Sequence, residues 1–167
     1  AAGQVKDPQV LVDLHHRSAR VTGEHLGEGD QAEGHLRQVL EIDPRNMEAV
    51  DALAATYEKA GKWVDLVDIL DSKVPLVDSV EEKVGLRIRI GEIWEQRLGK
   101  VEEAITSFRR GLELDGRDPR VLEALAAIHL GERRFADLLP ILRRQAGAAS
   151  DKAAARDVRL KIAALLD

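Results

Sequence analysis

Apolar residues recur every three to four positions along almost the whole chain. Between residues 47 and 60, Val50, Leu53, Ala54 and Tyr57 fall at i, i+3, i+4 and i+7, one face of a 3.6-residue helix. Glu48, Asp51, Ala55 and Glu58 fall on the opposite face. Trp63, Leu66, Val67 and Leu70 mark a second amphipathic helix. Gly61 sits between the two, where a left-handed helix-ending conformation costs glycine least. No segment alternates with period two, so strands are not expected. Start signals agree with the pattern. Asp7-Pro8 and Asp118-Pro119 each offer an N-cap followed by proline in the first turn, Asn46 can cap the helix from Met47, Ser79-Val80-Glu81-Glu82 reads as a capping box, and Asp151 can cap a last helix. The expected helices are 8–25, 30–42, 47–60, 62–74, 80–97, 100–114, 119–130, 132–145 and 152–166. Pro75 should end the fourth, and Pro140 should kink the eighth or move its start.

The pattern repeats. Shifted by 72 residues, Leu26-Gly27 meets Leu98-Gly99, Ala52-Leu53-Ala54-Ala55 meets Ala124-Leu125-Ala126-Ala127, and Leu40, Glu41 and Asp43 meet Leu112, Glu113 and Asp115. Each 72-residue stretch divides again. Leu36 to Leu70 is 34 residues, Leu70 to Phe108 is 38, and Phe108 to Leu142 is 34. A two-helix unit of this size cannot bury both apolar faces alone, so stacking on its neighbours must supply the core.

These residues resemble the tetratricopeptide repeat (TPR) family. Leu40-Glu41-Ile42-Asp43-Pro44 and Leu112-Glu113-Leu114-Asp115 match its repeat exit, Leu53-Ala54 and Leu125-Ala126 its first-helix pair, Tyr57 and Trp94 its first-helix aromatic, and Ala32, Ala104 and Phe108 its second helix. The likeness covers residues 13–167, with departures. Gly116 stands where the third exit has Pro, the fourth turn Gly is missing or moved to Gly131, and Leu66 replaces Ala in the second repeat. The resemblance implies an all-α, TPR-like right-handed superhelical solenoid of antiparallel helix pairs, about nine helices. It would form a single array with repeats at 13–46, 47–80, 81–118 and 119–151 and an unpaired final helix 152–167. That final helix matches the first helix of the third repeat and has no second helix after it. A fragment of a longer protein is therefore expected, with a native solvating cap as the alternative. The start at Ala1-Ala2-Gly3 without Met fits a processed or excised piece.

Composition narrows the function. The 30 acidic and 25 basic side chains give a net charge of −5, which argues against a dedicated nucleic-acid binder. Residues 1–72 carry 7 basic and 14 acidic side chains, a net of −7, while residues 73–167 carry 18 and 16, a net of +2. Zero cysteines exclude disulfides, thiolate metal sites and cysteine nucleophiles. No run of about eighteen apolar residues predicts membrane insertion. A cytoplasmic location is expected, or export if a leader has been removed, and the Ala, Leu, Arg, Gly and Glu usage has a bacterial look. All five aromatics fall in repeat slots: Tyr57 with Trp94, Trp63 with Phe135, and Phe108 with Leu36, Leu70 and Leu142. Each is expected to pack between helices.

Catalytic signatures are not found. There is no Gly-rich phosphate loop, no Gly-x-Ser-x-Gly and no His-Glu-x-x-His, and Gly23, Gly27 and Gly29 follow no strand. No enzyme activity and no cofactor are expected. The rival is a cryptic carboxylate site at Glu92 and Glu95. His15, His16, His25 and His35 crowd the first repeat without an i, i+4 pair, so they read as surface or interhelical residues, and His129 reads as packing. Arg109-Arg110, Arg133-Arg134 and Arg143-Arg144 suggest a basic stripe or a solvated face. The resemblance places ligands on a concave face made by the first helices. Here that face would carry Arg20, Glu48, Asp51, Glu58, Glu92, Glu95, Arg120 and Glu123. Its acidic middle favours a basic or mixed-charge peptide or partner helix, unless these carboxylates merely solvate the helices. The expected role is a protein–protein interaction scaffold within a larger assembly. The alternative is self-association of a longer repeat protein through its terminal helices.

Overall fold

The computed structural model describes residues 7–22, 29–149 and 152–166, the last few of these by backbone alone. Nine helices account for most of the described residues: α1 Pro8–Arg20, α2 Gly29–Ile42, α3 Met47–Ala60, α4 Trp63–Lys73, α5 Val80–Gln96, α6 Val101–Leu114, α7 Pro119–Gly131, α8 Phe135–Ala148 and α9 Lys152–Leu166. No strand occurs among the described residues. None of their helices is long and apolar enough to cross a membrane.

The helices gather into two compact units, Ala1–Leu76 and Val77–Asp167. In the first, α1 packs on α2, α2 on α3 and α3 on α4. In the second, each of α5 to α9 packs on the next, and α5 also reaches α7. Packing stays between helices near one another in sequence, as expected for a stacked repeat.

Local chemistry sets the boundaries. Asp7 accepts from the Gln9 amide at 3.0 Å, Asn46 from Ala49 at 3.0 Å, and Asp118 from Arg120 and Val121 at 2.9 and 3.2 Å, each satisfying helix-start amides that have no intrahelical acceptor. Ser79 caps α5 through the Glu82 amide. Gly61 ends α3 with φ 69°, and Gly99, three residues past the end of α5, takes φ 64° in the turn to α6. Pro75 lies in a short 3-10 turn, Val74–Leu76, that closes α4. Asp151 and Gly27 lie outside the described residues.

The core follows the predicted stripe. Val50, Leu53, Ala54 and Tyr57 are buried, whereas Glu48, Asp51, Ala55 and Glu58 are exposed. Leu36, Leu70, Phe108 and Leu142 are all buried in their equivalent slots. Phe108 sits among Val84, Ala104, Ile105, Val121, Leu125 and Ile128, with Trp94 packed against the cluster. Tyr57 carries a polar brace. Arg37 Nε donates to its hydroxyl at 3.1 Å, Glu33 accepts from that hydroxyl at 3.4 Å, and Lys62 Nζ donates to Glu33 and Asp30 at 2.8 and 3.0 Å. Those carboxylates hold the Lys62 ammonium well above its ordinary pKa. The brace fixes the α3–α4 turn against α2.

Some expectations need correction. α1 ends at Arg20, short of residue 25, and passes into a wide π-type turn at Val21 and Thr22. α8 starts at Phe135 rather than 132, because Arg133 takes φ 55°, ends the previous helix and reverses the chain. Arg133 stands 72 residues after Gly61, so the left-handed turn is present without its glycine, and Gly131 is the last residue of α7 instead. Pro140 lies inside α8, in its second turn. Phe135 is 47% exposed and does not pack between helices as expected. As the first residue of α8 it precedes the buried stripe of Leu138 and Leu142.

Candidate functional site

In the first unit a groove of about 680 Å³ opens along α1 and α3. α1 supplies Asp13, His16, Arg17 and Arg20, which recur at i, i+3, i+4 and i+7 and so share one face. α3 supplies Glu48, Ala52, Ala55, Thr56 and Lys59, again one face. Ala19 with Ala32 and Leu36 of α2 completes the lining. Small side chains at Ala19, Ala32, Ala52 and Ala55 keep the groove open, because nothing longer fills it.

Charges in the groove are unequally committed. His16 Nε2 lies 3.2 Å from Asn46 Oδ1, an oxygen that can only accept, so this ring nitrogen carries the proton. Its other nitrogen lies 3.9 Å from Glu48. Asp13 accepts from Gln9 Nε2 at 3.4 Å. Arg17, Arg20 and Lys59 have no carboxylate at ion-pair distance among the described residues. On the α1–α2 side, His15 and His35 meet ring to ring with Nδ1 atoms 3.2 Å apart, so one of the two nitrogens must be the donor. These histidines are therefore interhelical, as their spacing suggested. His25 lies outside the described residues. No cluster of three or more metal-ligating side chains occurs among the described residues.

Of the eight expected contact residues, the structure brings Arg20 and Glu48 together in this groove. Asp51 and Glu58 share α3 but do not line it, and Asp51 is held by Lys73 Nζ of α4. The other four belong to the second unit. Arg120 turns back onto Asp118, its Nη2 2.7 Å from the carboxylate, which lies below its ordinary pKa chiefly through that guanidinium. Glu92 and Glu95 sit one turn apart on α5. Burial first, and the Glu92 charge second, push the Glu95 carboxyl up. Glu123 is exposed on α7. Asp13, Arg17 and Lys59 also line the groove and are not among the expected contact residues. The polar stripe 13-16-17-20 on α1 was the available signal.

The second unit has a smaller recess, about 400 Å³, between α6, α7 and α8. Arg109 and Arg144 line it with Glu113 and Asp137, so its charges balance. His129 forms part of its wall, and among the described residues its Nδ1 is buried without a hydrogen-bond partner. Burial holds this imidazole below its ordinary pKa. Arg134 pairs with Glu102 across the α6–α8 surface.

No family model matches the sequence, and no curated protein matches it. Solved structures do. The N-terminal domain of stress-induced protein-1 from C. elegans is 17% identical with a TM-score of 0.55, covering 73% of this chain and 97% of that one. MamA is 14% identical with a TM-score of 0.53, covering 96% and 83%. Pseudomonas aeruginosa pilF is 18% identical with a TM-score of 0.52, covering 93% and 68%. At these identities the likeness is one of fold.

Proposed function

From the tetratricopeptide-like helical-repeat fold of this chain, we propose a protein-interaction module that holds a segment of a partner protein in the groove between α1 and α3, on the concave face of the array. The observation that carries this reading is the groove itself: open, floored by alanines and edged by side chains of both signs. Such a channel suits an extended segment or helix whose backbone must approach closely, and it favours a mixed-charge partner. A structural neighbour, Cut9, is found in a hetero-tetramer with Hcn1, which supports a role in assemblies. Arg20 and Glu48 are the proposed contacts in this unit. By the 72-residue shift, Glu92 and Arg120 stand in the second unit where Arg20 and Glu48 stand in the first, and Glu123 stands where Asp51 does. Catalysis forms no part of the proposal.

Ala55 is exposed on the groove wall, so Ala55→Trp fills the channel without disturbing the core. Affinity purification from the native host, comparing wild type with Ala55→Trp by quantitative mass spectrometry, should show the specific partner reduced at least about tenfold, as expected when a well-packed contact worth about 1.4 kcal/mol or more is lost. Equal recovery with both proteins would refute the groove as the partner site.

A further inference from the structure

Charge in the α1–α3 groove is sorted along its length. α1 and α3 run in the same direction, because each is antiparallel to α2 between them. The α2–α3 register is explicit in Glu33, near the start of α2, meeting Tyr57 and Lys62 at the far end of α3. The α1–α3 register is set by His16, 3.9 Å from Glu48. Asp13 and Glu48 therefore lie at one end of the groove. From there Arg17 and Arg20 follow on α1, and Lys59 lies eleven residues beyond Glu48 on α3, about 16 Å along the axis at 1.5 Å per residue. With His16 level with Glu48, Asp13 lies about 4.5 Å before that point, Arg17 and Arg20 about 1.5 and 6 Å after it, and Lys59 about 16 Å after it, so the carboxylates come first along the groove and the cations follow. Asp51 and Glu58, which would have spread negative charge along α3, lie outside the lining, and Asp51 is already paired with Lys73.

We propose that the groove reads the order of charges on its partner: a mixed-charge segment enters in one direction only, with its cationic residue against Asp13 and Glu48 and its anionic residue against Arg20 and Lys59. This rests on the groove being the partner site. Reversed entry would set like charges against each other at both ends, and like-charge juxtaposition is what rejects a wrong arrangement at an interface. The ligand class is a peptide with one basic and one acidic side chain about 10–16 Å apart, a span of roughly seven to eleven residues of helix.

The probe is a pair of synthetic Ala/Leu-based helical peptides, one with a Lys pair near its N-terminus and a Glu pair near its C-terminus, the other with the pairs exchanged. Each carries a nitroxide at its N-terminus, and the full chain is isotopically labelled. The Lys-first peptide should broaden amide signals of residues 13–16 and 47–50. The Glu-first peptide should instead broaden those of residues 19–22 and 56–60, with at least a tenfold preference for one orientation in each case. The preference should shrink at 0.5 M salt as the Debye length falls below about 5 Å. The quadruple variant Asp13→Lys, Glu48→Lys, Arg20→Glu, Lys59→Glu changes only exposed or groove-edge positions and should invert both patterns. Binding in the groove with the same end broadened for both peptides, or with both ends broadened, overturns the charge order and leaves the groove as a partner site. Binding of neither peptide, or binding elsewhere on the chain, overturns both.

Discussion

A Cβ built on Gly91 would lie 2.5 Å from Phe108 Cε1, and two more ring atoms lie within 2.8 Å. Phe108 is fully buried, so the ring has no space into which to retreat. Gly91→Ala is therefore expected to destabilise by roughly 1–3 kcal/mol, overpacking outweighing the helix propensity gained. Gly85, on the same helix, has open space around it. Gly85→Ala should stabilise by about 0.5–1 kcal/mol, and denaturant titration of the two variants checks the contrast. His129 supplies a second residue-scale test. Its folded pKa is depressed by burial, so on acidification the unfolded chain binds the proton first. The stability contribution is present in full above the unfolded pKa of about 6.5, and is lost as pH falls through the folded value. Denaturation midpoints should fall on acidification below about pH 6.5, and His129→Leu should flatten that slope. The sequence placed His129 correctly as a packing residue, because its slot repeats that of Tyr57. It could not show the missing partner: Arg37 answers Tyr57, and nothing among the described residues answers His129 Nδ1.

Helix starts were readable because caps are local. Asp7, Asn46, Ser79 and Asp118 each accept from amides two or three residues on, within the reach of a short motif. Helix ends were harder. The α7–α8 turn keeps the left-handed geometry of Gly61 with an arginine in it, a conformation that costs a residue bearing a Cβ about 1 kcal/mol or more. Sequence periodicity carries no φ angle, so it points to Gly131 as the turn residue and to a start of α8 three residues before Phe135. Relieving this strain by Arg133→Gly should raise stability by roughly 0.5–1 kcal/mol after the extra flexibility of glycine in the unfolded chain is offset. Calorimetry would show a higher midpoint; an unchanged or lower one would mean that Arg133 makes contacts worth more than the strain.

Within each unit, the described helices pack mainly on their neighbours in sequence. In such an array a perturbation is felt mainly by the elements it touches. Amide exchange in Gly91→Ala should accelerate in α5, α6 and α7, and stay unchanged in α2 and α3. The helical fold was legible because a 34-residue rhythm encodes nearest-neighbour packing directly. The candidate site was legible only in part. Arg20 and Glu48 both line the groove, but the groove face of α3 runs 48-52-55-56-59 and leaves Asp51 at its edge, where Lys73 of the next helix pairs with it. The Gly91–Phe108 contact also has a meaning for the repeats as interchangeable parts. Where the third repeat has glycine facing phenylalanine, the equivalent positions of the second and fourth hold Ala54 with Leu70 and Ala126 with Leu142. A small residue and its larger counterpart thus form a matched set, so a chimera of these repeats should fold best when the crossover keeps both members together, and a junction between residues 91 and 108 would join alanine to phenylalanine or glycine to leucine, with a clash or a void expected.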